Sequence, residues 1–126
     1  MFDLNFNSDT PLYMQIVEST KTALASGFFK DGDRFPSVRD LSKSLGINQT
    51  TVSKAFKELD RLGIIESKPG VGTFIRLDDK KLSLGKERFE RRLRDDFKHA
   101  IFLGYRKDEI EEIFVDVERG INENKS

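Results

Sequence analysis

Residues 36 to 63 read PSVRDLSKSLGINQTTVSKAFKELDRLG, and this stretch holds two short helices and their junction. Ser37 is placed to cap the first, with Asp40 three residues on as the other half of a capping box. Val38, Leu41 and Leu45 then fall on one side until Gly46 ends the helix. Asn48 is placed to cap the second. In it Val52, Ala55, Phe56, Leu59 and Leu62 follow the i, i+3, i+4, i+7 rule up to Gly63. Two helices joined by a short turn at Gly46-Ile47 match a helix-turn-helix.

Reading outward, Thr10 is expected to cap a helix over 11–26 that starts at Pro11 and carries Leu12, Tyr13, Ile16, Val17, Ala23 and Leu24 inward. Lys30-Asp31-Gly32-Asp33 signals a turn, and Arg34-Phe35 before Pro36 is extended because the pre-proline residue leaves the helical region. On the other side, Ile64 to Lys68 and Thr73 to Leu77 read as strands around Pro69-Gly70-Val71-Gly72. A hairpin directly after a recognition helix is a wing. The fold class is therefore mainly α with a small β wing: a winged helix-turn-helix over 1–77.

Leu77 to Lys81 is polar and without periodicity, and reads as a linker. Beyond it, Phe89, Leu93, Phe97, Ala100 and Ile101 mark a helix near 84–103, and Ile110, Ile113, Phe114 and Val117 a second near 107–119, capped by Asp108 and its neighbours. Glu123 to Ser126 are expected to fray. Two helices with one apolar stripe each cannot enclose a core. A second copy of the chain is the simplest partner, which makes 78–126 a linker and helical dimerisation tail through Phe89, Leu93, Phe97, Ile101, Ile110, Ile113, Phe114 and Val117. The alternative is packing back onto the first helix of the same chain.

Composition narrows the function. The 126 residues include no cysteine and one histidine, His99, so disulfides, thiolate metal sites and cysteine nucleophiles are excluded. There is no Ser-His-acid set, no metal-ligand cluster and no phosphate-binding glycine loop opening a helix, so no enzyme and no cofactor is expected. His99 reads as a structural or surface residue, and Asp108-Glu109 with Glu111-Glu112 as a solvated face. No apolar run of membrane-spanning length is present, and residues 1 to 10 lack the features of a secretion signal, so the expectation is a soluble cytoplasmic protein.

The net charge is zero but unevenly spread. Lys and Arg number two against five Asp and Glu in residues 1–33, eight against four in 34–76, and twelve against thirteen in 78–126. A basic middle is what phosphate contact needs, though it also suits an ordinary solvated face. If the second helix of the motif enters a major groove, its first turn presents Asn48, Gln49, Thr50 and Thr51, followed on that side by Ser53 and Lys54. Gln pairs bidentately with adenine, Thr offers a methyl or a hydroxyl, and Lys reaches phosphate. Arg39 lies in the first turn of the preceding helix, where the amides already favour an anion. At the wing, Lys68, Gly70, Gly72 and Thr73 are placed to enter a minor groove, although glycines at a hairpin tip also serve simply as turn residues.

Taken in order, Pro11-Leu12-Tyr13, Gly32-Asp33, Phe35-Pro36-Ser37-Val38-Arg39-Asp40-Leu41, Leu45-Gly46-Ile47, Thr51-Val52, Leu62-Gly63-Ile64-Ile65 and Gly70-Val71-Gly72-Thr73-Phe74 resemble the GntR family of bacterial regulators over most of residues 11–76. The resemblance implies a DNA-binding transcription regulator, most often a repressor, that binds an inverted-repeat operator as a homodimer. It also implies that Arg39, Asn48 to Thr51, Ser53 and Gly70 contact DNA. Gln49 and Ser53 stand where the family often has basic residues, which points to A·T pairs where relatives read guanine. The short two-helix tail looks like the YtrA-type subfamily, which is associated with control of transport genes. An unidentified small-molecule effector is left open, since Phe89, Phe97, Phe102, Tyr105 and Phe114 suit either a cavity lining or a dimer interface. A winged helix used only for protein contact would expose apolar residues where Asn48, Gln49, Thr50 and Lys54 stand.

Overall fold

The computed structural model describes residues 2 to 123. Its elements run α1 (Leu12–Ala25), β1 (Arg34–Phe35), α2 (Val38–Leu45), α3 (Gln49–Leu62), β2 (Ile65–Lys68), β3 (Gly72–Ile75), α4 (Asp79–Phe102) and α5 (Lys107–Glu123). The helix-turn-helix forms as its capping chemistry dictates. Ser37 Oγ accepts from the Asp40 amide at 3.0 Å and Asn48 Oδ1 from the Thr50 amide at 2.7 Å. The Asp40 carboxylate does not return the capping-box bond, being one methylene shorter than the usual Glu. Between the helices, Gly46 is left-handed at φ 67°, and the Ser42 hydroxyl donates to the Ile47 carbonyl to close the turn.

One core unites these parts. Ile16 and Val17 from α1, Phe35 from β1, Leu41 from α2, Val52, Ala55, Phe56 and Leu59 from α3, and Ile64, Ile65 and Ile75 around the hairpin are all buried. Phe35 is its centre: the rings of Phe29 and Phe56 each lie 5.4 Å away, and Phe2 meets it edge-on at 6.3 Å. Thr20 is also fully buried, and its hydroxyl is satisfied by donating to the Ile16 carbonyl at 2.9 Å. The sheet is antiparallel in the order β1-β3-β2, so β1 closes the hairpin edge, with Arg34 opposite Phe74 and Ile65 opposite Ile75.

The start of α1 differs from the expected cap. Pro11 occupies the N-cap without a side-chain bond, and Thr10 does not cap. Instead Gln15 reaches back: its Nε2 donates to the Thr10 and Asn5 carbonyls at 2.8 and 2.9 Å, and its Oε1 accepts from the Asn5 amide at 2.8 Å. This folds residues 5–10 over the helix end and brings Phe2 and Leu4 onto the core.

The largest difference lies after the wing. Asp79 to Lys81 are the first turn of α4 rather than part of a linker, because Asp78 Oδ1 accepts from the Lys81 amide at 3.1 Å. Tertiary bonds fix that turn to the body. The Asp78 amide donates to the Gly63 carbonyl at 2.8 Å, Lys81 Nζ to the Asp60 carbonyl at 3.0 Å, and the Leu77 amide to Asp31 Oδ1 at 2.9 Å. Gly63, left-handed at φ 84°, is packed under it: a Cβ there would sit 2.7 Å from Lys81 Cβ. No periodic pattern marks such a start, so residue spacing alone placed the helix five residues late.

α4 meets the body chiefly at α3, and among the described residues α5 has no comparably extensive contact with another element. Among the described residues, neither helix contains a buried side chain. Ile101 is 74% exposed and Phe114 63%; Phe89, Phe97, Ile113 and Val117 are likewise exposed, while Leu93 and Ile110 are half-buried. The start of α5 is held, as expected, from the neighbourhood of Asp108: Glu109 Oε1 accepts from the Arg106 amide at 2.9 Å, while Asp108 itself takes the Arg106 side chain. Glu123 lies within α5, whereas Met1 and Asn124 to Ser126, the rest of the expected frayed end, lie outside the described residues.

Candidate nucleic-acid interface

The face of α3 opposite Val52, Ala55, Phe56 and Leu59 is presented to solvent by the same periodicity that buries those four. At its start Asn48, Gln49 and Thr50 are exposed and Thr51 and Ser53 half-buried. Asn48 has committed its side-chain oxygen to the cap, which leaves its amide hydrogens outward. Gln49 and Ser53 stack at i, i+4, as do Thr50 and Lys54, so two adjacent polar rows run up the first two turns. Lys54 does not hang free: its Nζ lies 4.3 Å from the centre of the Tyr13 ring. Tyr13 thus positions a cation beside the recognition turn, a role hidden in its place on the apolar face of α1.

Arg39, the second residue of α2, is exposed and makes no ion pair among the described residues. The same is true of Lys43, Lys54, Lys57, Lys68 and Arg34. By contrast, the carboxylates of α3 sit at its far end and are engaged, Glu58 with Arg61 and Asp60 with Lys81. The Arg61 guanidinium donates to Glu58 and holds its carboxyl below the usual carboxylate range. Positive charge is therefore left uncompensated around the N-terminal half of α3, the half that carries the amide and hydroxyl side chains.

The wing divides its expected contacts. Gly70 is exposed at the tip and Lys68 exposed beside it, with Lys68 Nζ 5.8 Å from the Phe74 ring centre. Thr73 is different: it is buried, and its hydroxyl pairs with Ser67 Oγ at 3.2 Å, so its side chain braces the hairpin and does not reach from it. Gly72 is covered by the Arg34 guanidinium, 3.0 Å from where a Cβ would stand. Arg34 Nη2 also donates to the Val71 carbonyl at 3.2 Å, and its guanidinium carbon lies 5.7 Å from the Phe74 ring centre. Residue spacing gave Arg34 only as part of a short strand; its role depends on pairing with β3, nearly forty residues on.

Two helices that present a polar rod, a hairpin beside them and exposed cations without ion pairs among the described residues define a winged helix-turn-helix DNA-binding protein. The description "Bacterial regulatory proteins, gntR family" matches residues 12–75, and the chain belongs to that family. It is 37% identical to the HTH-type transcriptional repressor YtrA of Bacillus subtilis strain 168, over 95% of this chain and 97% of that one. A transcriptional antiterminator from Listeria monocytogenes EGD-e has a similar structure, with TM-score 0.77, 30% identity and coverage of 97% and 92% of the two chains. The AraR DNA-binding domain in complex with operator ORR3 superposes with TM-score 0.50 at 25% identity over 60% of this chain and 90% of that one. The chain is accordingly a DNA-binding transcriptional regulator of the YtrA type, and its family and relatives are regulators, not enzymes. Among the described residues, no helix is long and apolar enough to cross a membrane.

Proposed function

We propose that the chain is a cytoplasmic repressor that binds an inverted-repeat operator as a homodimer. Asn48, Gln49 and Thr50 read base edges. Arg39 and Lys54 hold phosphates, and Lys68 with the Gly70 tip follows the neighbouring minor groove. The observation that carries this reading is the uncompensated cationic surround of an exposed amide and hydroxyl turn on α3. Apolar side chains would stand there in a protein-docking module. The operator complex of the AraR domain and the repressor designation of YtrA support DNA binding and repression respectively. The exposed apolar stripes of α4 and α5 support the dimer. Control of transport genes follows from the YtrA-type resemblance. Selection of bound duplexes from a random pool at near-physiological salt tests the whole reading. An enriched inverted repeat is expected; enrichment of single half-sites only would remove the dimer, and no enrichment would remove sequence-specific binding.

A further inference from the structure

The three-stranded sheet has one face on the core and one turned away from it. Alternation along the strands puts Phe35, Thr73 and Ile75 inward, and Arg34, Glu66, Lys68, Gly72 and Phe74 outward. Because β3 is the central strand, its half-buried Phe74 ring is approached from both neighbours. The Arg34 guanidinium carbon, from β1, lies 5.7 Å from the ring centre, and Lys68 Nζ, from β2, lies 5.8 Å from it. One ring thus holds two cations.

Neither cation is neutralised. Glu66 is the single acid among these outward side chains, and it is taken by Arg76 at 3.8 Å. Arg34 and Lys68 are exposed and have no ion-pair partner among the described residues. Two like charges that share a ring repel in the free protein, and an anion brought beside them relieves the repulsion.

The guanidinium is also carried to the end of the hairpin. Arg34 Nη2 donates to the Val71 carbonyl at 3.2 Å and stands 3.0 Å from where a Cβ of Gly72 would be. Gly72 must lack a side chain for Arg34 to lie there, and its φ of 141° favours glycine as well. A guanidinium carries several N–H donors, and Val71 takes one of them. The result is a fixed planar fork beside a tip to which Gly70 and Gly72 add no bulk. Such a fork suits the DNA minor groove. Where A·T pairs narrow that groove its potential is most negative and draws arginine in, and no guanine amino group stands on its floor.

We propose that Arg34 is the wing's sequence-selecting residue: seated by Phe74 and Val71, it enters the minor groove beside the half-site and favours narrow A·T steps there, while Lys68 takes a flanking phosphate. The inference rests on DNA binding by the wing in the proposed function. It adds a preference at base pairs that α3 does not read, and it makes Gly72 the space that admits Arg34.

The selected operator, bound by the full chain, supplies the test. Its wing-proximal flank is made A·T, G·C or inosine·C, the last lacking guanine's amino group and so offering the minor-groove edge of A·T with the major-groove edge of G·C. The wild type is expected to bind the A·T and inosine·C flanks about tenfold tighter than G·C. Arg34→Lys keeps the charge but loses the fork, and should bind all three flanks alike. Gly72→Ala, which displaces the guanidinium, should also lose the preference with Arg34 still present. Lys68→Ala should weaken every flank and keep the wild-type ratio. An Arg34 that only braced the hairpin would, when replaced by Lys, lower affinity for the three flanks in proportion; an unchanged ratio in Arg34→Lys or in Gly72→Ala therefore overturns the assignment. So does a wild type that treats inosine·C as it treats G·C. A wild type that binds its half-site without any flank preference removes this inference alone, whereas one that enriches no duplex removes the proposed function with it.

Discussion

Gly63 carries two demands at once, a left-handed backbone and an empty Cβ position beneath Lys81. Gly63→Ala should therefore cost more than the roughly 1 to 2 kcal/mol of left-handed strain, since the first turn of α4 must also shift. Thermal denaturation measures it, and an unchanged midpoint would mean that α4 is not seated there. At the recognition turn, Gln49→Ala should cost about 1 to 3 kcal/mol on the preferred operator and relax one base step, while Lys54→Ala should weaken all duplexes alike and flatten the salt slope by about one. Binding assays across a panel of single-base operator variants separate the two; equal loss on every duplex from both would sink the base-reading role. The Ser37 and Asn48 caps that bound the motif were legible in the sequence because capping is local chemistry. Tyr13 beneath Lys54 was not, since an aromatic on an apolar face carries no sign of what stands over it.

Among the elements, α2 and α3 follow their periodicity and glycine stops closely, the second hairpin strand ends at Ile75 and not at Leu77, and α4 begins five residues ahead of its apolar pattern. That start is set by Asp78 and by bonds to Asp60 and Gly63, and contacts so distant in sequence leave no spacing to read. The wing shows the same limit. Arg34 spans β1 and the tip through Val71 and Phe74, so Arg34→Ala should speed amide exchange in β3 and weaken DNA binding, with base preference at α3 unchanged. If exchange is unaltered, the guanidinium does not brace the hairpin. Within α3, Glu58 has a folded-state pKa below its unfolded one, so its pairing with Arg61 stabilises above the ordinary Glu value and is lost as pH falls through the lowered one. Glu58→Gln should cost under about 1 kcal/mol at neutral pH and remove that part of the acid dependence, read from urea midpoints between neutral and acid pH.

At the scale of the molecule, a core drawn from every element through β3 sits beside a tail with no buried side chain among the described residues. The apolar stripes that reveal such a tail are visible in sequence, but which copy they cover is not, because periodicity gives a face and never its partner. If the proposed homodimer forms through the tail, Phe97→Asp should convert it to monomer by sedimentation while leaving thermal stability of the DNA-binding body within about 0.5 kcal/mol; a persisting dimer would take the middle of α4 out of the interface. The direct join of α4 to α3 has a consequence for the operator. In a two-fold pair the distance and phase between the two reading heads are carried by an unbroken rod of 24 residues. One residue inserted into that rod turns a head by about 100° and advances it about 1.5 Å. In the proposed dimer the tail would act as a vernier on the DNA helix: chains with identical recognition turns but rods of different length would select different half-site spacings.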